Sequence, residues 1–181
     1  MPRRSHHEYE PFRNVERRNR LQERVEVPAL IRSLRLPTGA RMLEVGCGRG
    51  VALPPLAALC RPASLTGLDV DPALLAEAER RLERRGVRAR LVHGDVRALP
   101  FPDASFDVVI DFGTCWHIAG AGRALSEIER VLAPGGRFVH ETVVSQRLAH
   151  PVRSRRGGLP WSAAPRLERE RSAVLWSSRR R

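Results

Sequence analysis

The chain has 181 residues, which suits a single domain with a hydrophobic core, and no apolar run approaches the roughly 20 residues that span a bilayer. Its start lacks the apolar segment of a secretory signal, and its three cysteines lack CxxC or metal-ligand spacing, so we expect a cytoplasmic protein without disulfides or a bound metal. The formal net charge is +12, but every basic residue is an arginine and the middle of the chain is nearly neutral, which favours solvated arginines over a dedicated phosphate-binding groove.

The first part of the chain is predicted to be helical. Apolar residues recur at broadly helical spacing over positions 15–34, and Pro28 interrupts the pattern. We therefore expect residues 1–35 to form a helical lead-in made of two pieces.

The middle of the chain alternates short apolar strands with helices. Strands are predicted over residues 40–45, 64–70, 89–95, 105–111 and 137–144, and helices over 51–60, 72–86 and 121–136. Such alternation with short connections predicts an α/β fold with a doubly wound, mostly parallel, Rossmann-like sheet and helices on both faces. Ligands of such sheets bind at the carboxyl ends of the strands.

A glycine-rich stretch, "LEVGCGRG", ends the first strand. Gly46, Gly48 and Gly50 would let a ligand approach the backbone closely, because a glycine has no Cβ. The stretch lacks the lysine and hydroxyl residue of a P-loop, and its G-x-G-x-G spacing differs from the dinucleotide fingerprint. Glu44 would repel a pyrophosphate, so we expect a nucleoside without phosphates that carries an ammonium group.

Two acidic residues follow the second strand. Asp69 lies about twenty residues beyond the glycines, at a strand end where a carboxylate can accept hydrogen bonds from both ribose hydroxyls. Asp71 immediately precedes Pro72, so we interpret it as a helix N-cap. Cys47, between two glycines, is interpreted as a small filler and not as a nucleophile.

Taken together, these motifs resemble those of the class I S-adenosylmethionine-dependent methyltransferases. "LEVGCGRG", "GLDVDPALLAEAERRL", "VHGDVRALPFPDASFDVVI" and "RVLAPGGRFV" are similar to successive family motifs, in order, within a core over residues 41–144. The resemblance implies S-adenosylmethionine as the cofactor. It also implies the cofactor-binding residues, which are Glu44, Gly46, Cys47, Gly48, Gly50, Asp69, Val70, Asp95, Val96 and Asp111.

The resemblance also implies a part of the cofactor for several of these residues. Glu44 and Asp111 would lie near its methionine end, Asp69 would hold the ribose, and Asp95 would accept from the adenine amino group. Val70 and Val96 would offer apolar faces to the adenine; the alternative for both is an ordinary core valine.

The reaction that the resemblance implies is direct displacement of a sulfonium methyl by a nucleophile of the acceptor. The protein must then align the acceptor, exclude water and, for a protonated acceptor, remove a proton. His117, just past the fourth strand, is the candidate catalytic residue, because histidine titrates near neutral pH; packing beside Trp116 is its alternative role. His140 and Glu141 alternate in the fifth strand, so one of them could reach the pocket.

A small molecule is the expected acceptor. The Asn/Asp-Pro-Pro-Tyr tetrapeptide of many nucleic-acid amino methyltransferases is absent at "DFGT", so nucleic acid is not the favoured partner, and no membrane partner is expected. Tyr9 and Phe12 would form a lid over the acceptor. The alternatives are an RNA or protein methyltransferase that uses the basic tail, and a non-catalytic partner protein that only binds the cofactor.

Residues 145–181 form an arginine-rich basic tail within the single domain 1–181. Positions 172–178 are a candidate strand, and 166–176 are an equally good candidate helix. The family fold closes with two antiparallel strands, whereas residues 145–181 contain one credible strand. We therefore expect the C-terminal strands to be truncated and a homodimer partner to complete the sheet edge. Arg153, Arg155 and Arg156 could contact an anionic substrate; the alternative is an exposed basic loop.

Overall fold

The computed structural model describes residues 15–141, 159–170 and 175–181. Outside these residues lie the predictions for Tyr9, Phe12, Arg153, Arg155, Arg156 and positions 142–144. The prediction for Glu141 concerns its side chain, which also lies outside what the structure describes.

The described strands form one seven-stranded sheet in the order β3-β2-β1-β4-β5-β7-β6. Strands β1 to β5 run parallel, whereas β7 is antiparallel to β5 and β6 is antiparallel to β7. The chain order reverses between β1 and β4, and ligands of open α/β sheets bind beside such a reversal. The strands are β1 (Arg41–Val45), β2 (Ser64–Asp69), β3 (Arg90–His93), β4 (Phe106–Asp111), β5 (Leu132–Glu141), β6 (Leu167–Glu170) and β7 (Leu175–Arg180).

Helices cover both faces of the sheet, as predicted. They are α1 (Val15–Leu21), α2 (Val27–Leu34), α3 (Leu53–Cys60), α4 (Pro72–Arg85), α5 (Thr114–His117) and α6 (Ala121–Val131), with one π-helical turn (Gln22–Glu26) between α1 and α2 and a 3₁₀ turn (Trp161–Ala163). One core lies between the sheet and α2, α3 and α4, and the other lies between the sheet and α5 and α6.

The helix boundaries follow from local chemistry. The Asp71 carboxylate accepts hydrogen bonds from the backbone N–H groups of Ala73 and Leu74 at 2.8 and 3.4 Å, which confirms Asp71 as the N-cap of α4. Gly86 ends that helix in the left-handed conformation. Pro28 lies in the first turn of α2, directly after the π-helical turn, in which the Val27 backbone N–H donates to the carbonyl oxygen of Gln22, so the lead-in stays helical on both sides of Pro28.

Strand β5 begins five residues earlier than predicted. Leu132 pairs with Phe106, residues 133–136 then bulge out of the ladder, and pairing resumes between Arg137 and Val108. The helix predicted over 121–136 includes this "APGG" sequence, and the prediction is wrong there. Proline and glycine instead make this segment a turn at the amino end of the strand.

The expected truncation of the C-terminal strands is wrong. Both β6 and β7 are present, and β7 pairs with β5 from Arg137↔Arg179 to Glu141↔Leu175. The candidate helix over 166–176 is also wrong, because "LERE" belongs to β6. The edge that we expected a second subunit to complete is therefore occupied by strands of the same chain.

No helix among the described residues is both long and apolar enough to cross a membrane.

Candidate functional site

Three carboxylates lie at the carboxyl edge of the sheet, on the three neighbouring strands where the chain order reverses. Glu44 is in β1, Asp69 ends β2 and Asp111 ends β4. Their residues are only 4%, 6% and 1% exposed. Strand β1 lies between the other two, so the fold brings together three acidic residues that are far apart in the sequence.

The carboxylate of Glu44 is the most unusual group of this edge. Its Oε2 atom is buried and has no hydrogen-bond partner in the described part of the chain. Burial raises the pKa of Glu44 well above its usual range, and the charges of Asp69 and Asp111 raise it further. Within the described residues no arginine or histidine forms an ion pair with any of the three acids, so the site favours a ligand that carries positive charge.

Asp69 holds the glycine turn in place. Its Oδ2 accepts a hydrogen bond from the backbone N–H of Gly48 at 2.7 Å, and its Oδ1 accepts one from the N–H of Asp71 at 2.9 Å. Each carboxylate oxygen can accept a second bond, so ribose hydroxyls can share this carboxylate. Sequence reasoning missed the structural half of this role, because the contact joins residues 21 positions apart.

Asp111 organises the segment after β4. Its carboxylate accepts hydrogen bonds from the backbone N–H groups of Thr114 at 2.6 Å and Cys115 at 3.1 Å. Burial raises the pKa of Asp111, while these hydrogen bonds oppose that change. Asp111 thus fixes the start of α5, and its role toward the methionine ammonium stays a prediction.

The three glycines of the turn have different tasks. A Cβ on Gly46 would lie 1.8 Å from Oγ1 of Thr114, and a Cβ on Gly50 would lie 2.9 Å from Cβ of Ala78. These two glycines are therefore required by contacts within the protein. A Cβ on Gly48 would have no described atom within 4 Å, so Gly48 is the glycine whose backbone faces open space.

Helix α4 braces the glycine turn from outside. Nε of Arg81 donates to the carbonyl oxygen of Arg49 at 3.0 Å, and the Arg49 side chain pairs with Glu77 at 2.5 Å. The same Arg81 pairs with buried Glu23 of the π-helical turn at 2.7 Å, and Arg85 pairs with Glu23 at 2.5 Å. One arginine therefore links the lead-in to the turn, a link for which the sequence gives no local signal.

The two valines assigned to the adenine differ in exposure. Val70, just after β2, is 53% exposed, whereas Val96 is buried in the core with Leu68 and Leu99. An apolar side chain exposed beside Asp69 suits contact with a planar base. The burial of Val96 fits its alternative role as a core residue.

Asp95 already has a strong partner. Its carboxylate forms a bidentate ion pair with the Arg97 guanidinium, with Oδ2 and Nη2 2.6 Å apart, and accepts a hydrogen bond from the Arg97 backbone N–H at 2.8 Å. These hydrogen bonds lower the pKa of Asp95. An adenine amino group would have to share this carboxylate with Arg97.

Cys47 is buried beside Gly67. Burial first, then the charges of Glu44 and Asp69, raise the pKa of its thiol. The thiol is therefore protonated and a poor nucleophile, which agrees with the interpretation of Cys47 as a small filler.

The two candidate histidines lie in different surroundings. His117 is the last residue of α5 and is half-buried at the carboxyl edge. His140 is 2% exposed, with its ring centroid 4.7 Å from that of Trp161 and 5.0 Å from that of Phe138. His140 is thus a core residue.

The strand order, the glycine turn after β1 and the acidic ends of β1 and β2 define a class I S-adenosylmethionine-dependent methyltransferase. The described residues fit that cofactor, since a buried unpartnered carboxylate oxygen, open space at Gly48 and exposed Val70 lie along one edge. The chain belongs to the methyltransferase domain family, whose model matches residues 43–140.

The chain is also similar to curated methyltransferases over about 100 residues. The chain is 40% identical over 103 residues to a phthiotriol/phenolphthiotriol dimycocerosates methyltransferase of Mycobacterium leprae, covering 57% of this chain and 37% of the relative. It is 43% identical over 100 residues to the demethylmenaquinone methyltransferase of Thermus thermophilus, covering 55% and 45%. The chain thus spans less than half the length of these curated relatives.

One solved structure to which the chain is similar is named for a different reaction. The crystal structure of the [4+2]-cyclase SpnF superposes with a TM-score of 0.58 at 30% identity, covering 67% of this chain and 43% of that chain.

Proposed function

We propose that this protein transfers the methyl group of S-adenosylmethionine to a small-molecule acceptor by direct displacement. The observation that carries the proposal is the buried Oε2 atom of Glu44, unpartnered among the described residues, between the carboxylates of Asp69 and Asp111. A buried anion without a partner is costly, so its presence at a ligand edge favours a cationic ligand.

Different residues of this edge bind different parts of the cofactor. When bound, S-adenosylmethionine supplies an electrophilic methyl group on a sulfonium. Glu44 and Asp111 provide the negative charge that attracts its cationic end. Asp69 accepts hydrogen bonds from the ribose hydroxyls, Gly48 allows the close approach, and Val70 contacts the base.

We assign the proton-removing role to His117. It is half-buried at the end of α5, on the segment that Asp111 fixes at the carboxyl edge. A neutral imidazole there can accept a proton from an acceptor hydroxyl or amine during methyl transfer.

Two features support a small-molecule acceptor. The curated relatives are named for demethylmenaquinone and for phthiotriol/phenolphthiotriol dimycocerosates, neither of which is a nucleic acid or a protein. The carboxyl edge is acidic around Glu44, Asp69 and Asp111, which would repel the phosphates of RNA.

A second candidate is a protein that binds the cofactor but catalyses no methyl transfer. The observation that favours it is the 30% identity to a structure named as a [4+2]-cyclase, because such a likeness does not fix the reaction.

The test is the fate of a labelled methyl group. The protein is incubated with S-adenosylmethionine labelled in the methyl group and with a cell extract separated into small molecules, RNA and protein. We expect label in the small-molecule fraction with the wild type and none with Asp69→Ala. Label in RNA or protein would contradict the acceptor class, and bound cofactor without transfer in any fraction would favour the second candidate.

A further inference from the structure

The carboxyl edge of the sheet continues past the three acids to the end of β5. In the parallel β4–β5 pair, His140 is the register partner of Asp111. The strand order at this edge is β2-β1-β4-β5. With the ribose at Asp69 of β2 and the cationic end of the cofactor at Glu44 and Asp111, the methyl group lies toward β4 and β5. An acceptor must therefore approach beside the end of β5.

Two uncharged segments lie beside this end of β5. Residues 112–121, after β4, and residues 159–164, before β6, contain no aspartate, glutamate, lysine or arginine, although 29% of the chain is charged. Ile118 and Trp161, one from each segment, are half-buried and pack against the core that lies under α5 and α6. This side of the carboxyl edge is therefore apolar, in contrast to the acidic side at Glu44 and Asp69.

Arginines next to these segments lie close to acids that offset their charge. Arg97, whose guanidinium also donates to the backbone of the first segment, forms the bidentate ion pair with Asp95. The Arg97 hydrogen bonds, and after them the charge of Arg123, lower the pKa of Asp95. Nε of Arg166 pairs with Glu129 at 2.8 Å. These arginines therefore do not turn the apolar side into a site for a charged acceptor.

Contacts with α6 fix the segment that carries Trp161. Oγ of Ser126 donates to the carbonyl oxygen of Ala163 at 2.6 Å. A Cβ on Gly122 would lie 3.3 Å from Cβ of Ala163 and 3.7 Å from Cγ of Pro160, so the segment packs directly on the helix at this glycine. The position of Trp161 is therefore set by the helix that covers this face of the sheet.

The Trp161 ring packs against aromatic residues of β5 and stays partly exposed. Its centroid is 4.7 Å from that of His140 and 6.4 Å from that of Phe138. The exposed part of an indole offers a flat apolar surface, and planar rings gain more from such a surface than aliphatic groups of equal area. A charged acceptor would lose its hydration there without gaining an ion pair.

We propose that Trp161 contacts the acceptor and selects an uncharged molecule with a planar ring. This inference rests on the proposed function, because it concerns the acceptor of the same site. The ring packs on Trp161 and Ile118, and a hydroxyl or amine on the ring is the group from which His117 removes the proton.

The test is calorimetric titration of the protein saturated with S-adenosylhomocysteine, using three probes. They are 2-naphthol, which is a neutral planar ring, 2-naphthoate, which is the same ring with a negative charge, and 1-hexanol, which is neutral and has no ring. We expect the wild type to bind 2-naphthol about tenfold more tightly than either other probe. Trp161→Leu, which keeps an apolar side chain without a ring, should weaken 2-naphthol binding by about three- to tenfold, and Trp161→Phe should restore most of it.

Leu59→Ala is the matched control. It removes an exposed apolar side chain from α3, on the other face of the sheet, and should bind 2-naphthol like the wild type. All variants should keep their affinity for S-adenosylhomocysteine, which separates the loss of an acceptor contact from the loss of the fold.

Three results would overturn the inference: a wild type that binds S-adenosylhomocysteine but not 2-naphthol, equal affinity for 2-naphthoate, or unchanged 2-naphthol binding in Trp161→Leu. Tighter binding of 1-hexanol than of 2-naphthol would assign the apolar side to an aliphatic chain and reject the planar ring. A wild type that does not bind S-adenosylhomocysteine would refute the proposed function itself, and this inference with it.

Discussion

Replacing Glu44 by glutamine should stabilise the ligand-free protein and weaken cofactor binding at the same time. The carboxylate is buried, has an oxygen unpartnered within the described residues, and lies near Asp69 and Asp111. Glutamine has the same shape without the charge. The amide leaves one polar atom unpartnered at the same position but removes the cost of burying the charged form, so we expect a gain of about 1 kcal/mol in the free energy of unfolding at neutral pH.

The loss in affinity follows from the same charge. Two opposite unit charges about 4 Å apart attract by roughly 4 kcal/mol at an effective dielectric constant of 20, and desolvation consumes part of this. We therefore expect Glu44→Gln to weaken S-adenosylhomocysteine binding by about 10- to 100-fold, since each 1.4 kcal/mol is tenfold.

The raised pKa of Glu44 also predicts the direction in which the free energy of unfolding changes with pH. Because the pKa of Glu44 is raised, the folded protein binds this proton more tightly than the unfolded chain, so its contribution to stability falls as pH rises above the ordinary value of 4.5. Asp95, Asp107 and Glu127 have lowered pKa values and lose their stabilisation only in more acidic solution. As pH rises above 4.5, the stability of Glu44→Gln should therefore decline less steeply than that of the wild type, and Asp111, whose pKa burial also raises, contributes in the same direction in both proteins.

Urea unfolding across that pH range, together with calorimetric titration, measures both effects. Glu127→Gln is the matched control, because the Glu127 carboxylate pairs with Arg130 at 2.8 Å and accepts the N–H of Leu99 at 2.8 Å. The control should lose stability and keep its affinity. A Glu44→Gln variant that is destabilised like the control, or that binds S-adenosylhomocysteine like the wild type, would refute this role of the Glu44 charge.

Three further substitutions test other parts of the site. Gly46→Ala should cost more than about 2 kcal/mol in urea unfolding, because the new Cβ would lie 1.8 Å from Oγ1 of Thr114; a near-neutral result would show that the turn relaxes freely. Arg81→Ala frees the Arg49 carbonyl and should weaken S-adenosylhomocysteine binding by about three- to tenfold, whereas Arg84→Ala should not; equal titration curves would rule out the brace. His117→Ala should lower turnover by about 100-fold or more with unchanged cofactor affinity, and unchanged turnover would remove its assigned role.

The sheet and the glycine turn could be predicted because their signals are local. The apolar run before Glu44, the glycine spacing and the acid at the end of β2 each occupy a few consecutive residues. Strand β6 could not be predicted in the same way, since "LERE" is short and mostly charged, as edge strands often are.

The contacts that assemble the site depend on the whole fold. The bond from Gly48 to Asp69 and the link from Glu23 through Arg81 to Arg49 join segments that no periodic pattern relates. The burial of His140 likewise depends on Trp161, which comes from the segment after β5. The sequence therefore identified the residue types at the cofactor edge but not which of them also hold the edge together.

The assignment of the carboxyl edge to the cofactor is tested most directly by comparing two aspartates that are two residues apart. Asp69→Ala and Asp71→Ala are titrated with S-adenosylhomocysteine beside the wild type, and their stability is measured in urea. We expect binding by the wild type, loss of binding in Asp69→Ala, and retained binding in Asp71→Ala, which should lose about 1 kcal/mol of stability as an N-cap variant. A wild type that does not bind S-adenosylhomocysteine, or an Asp69→Ala variant that binds it equally well, would contradict the assignment of this edge to the cofactor.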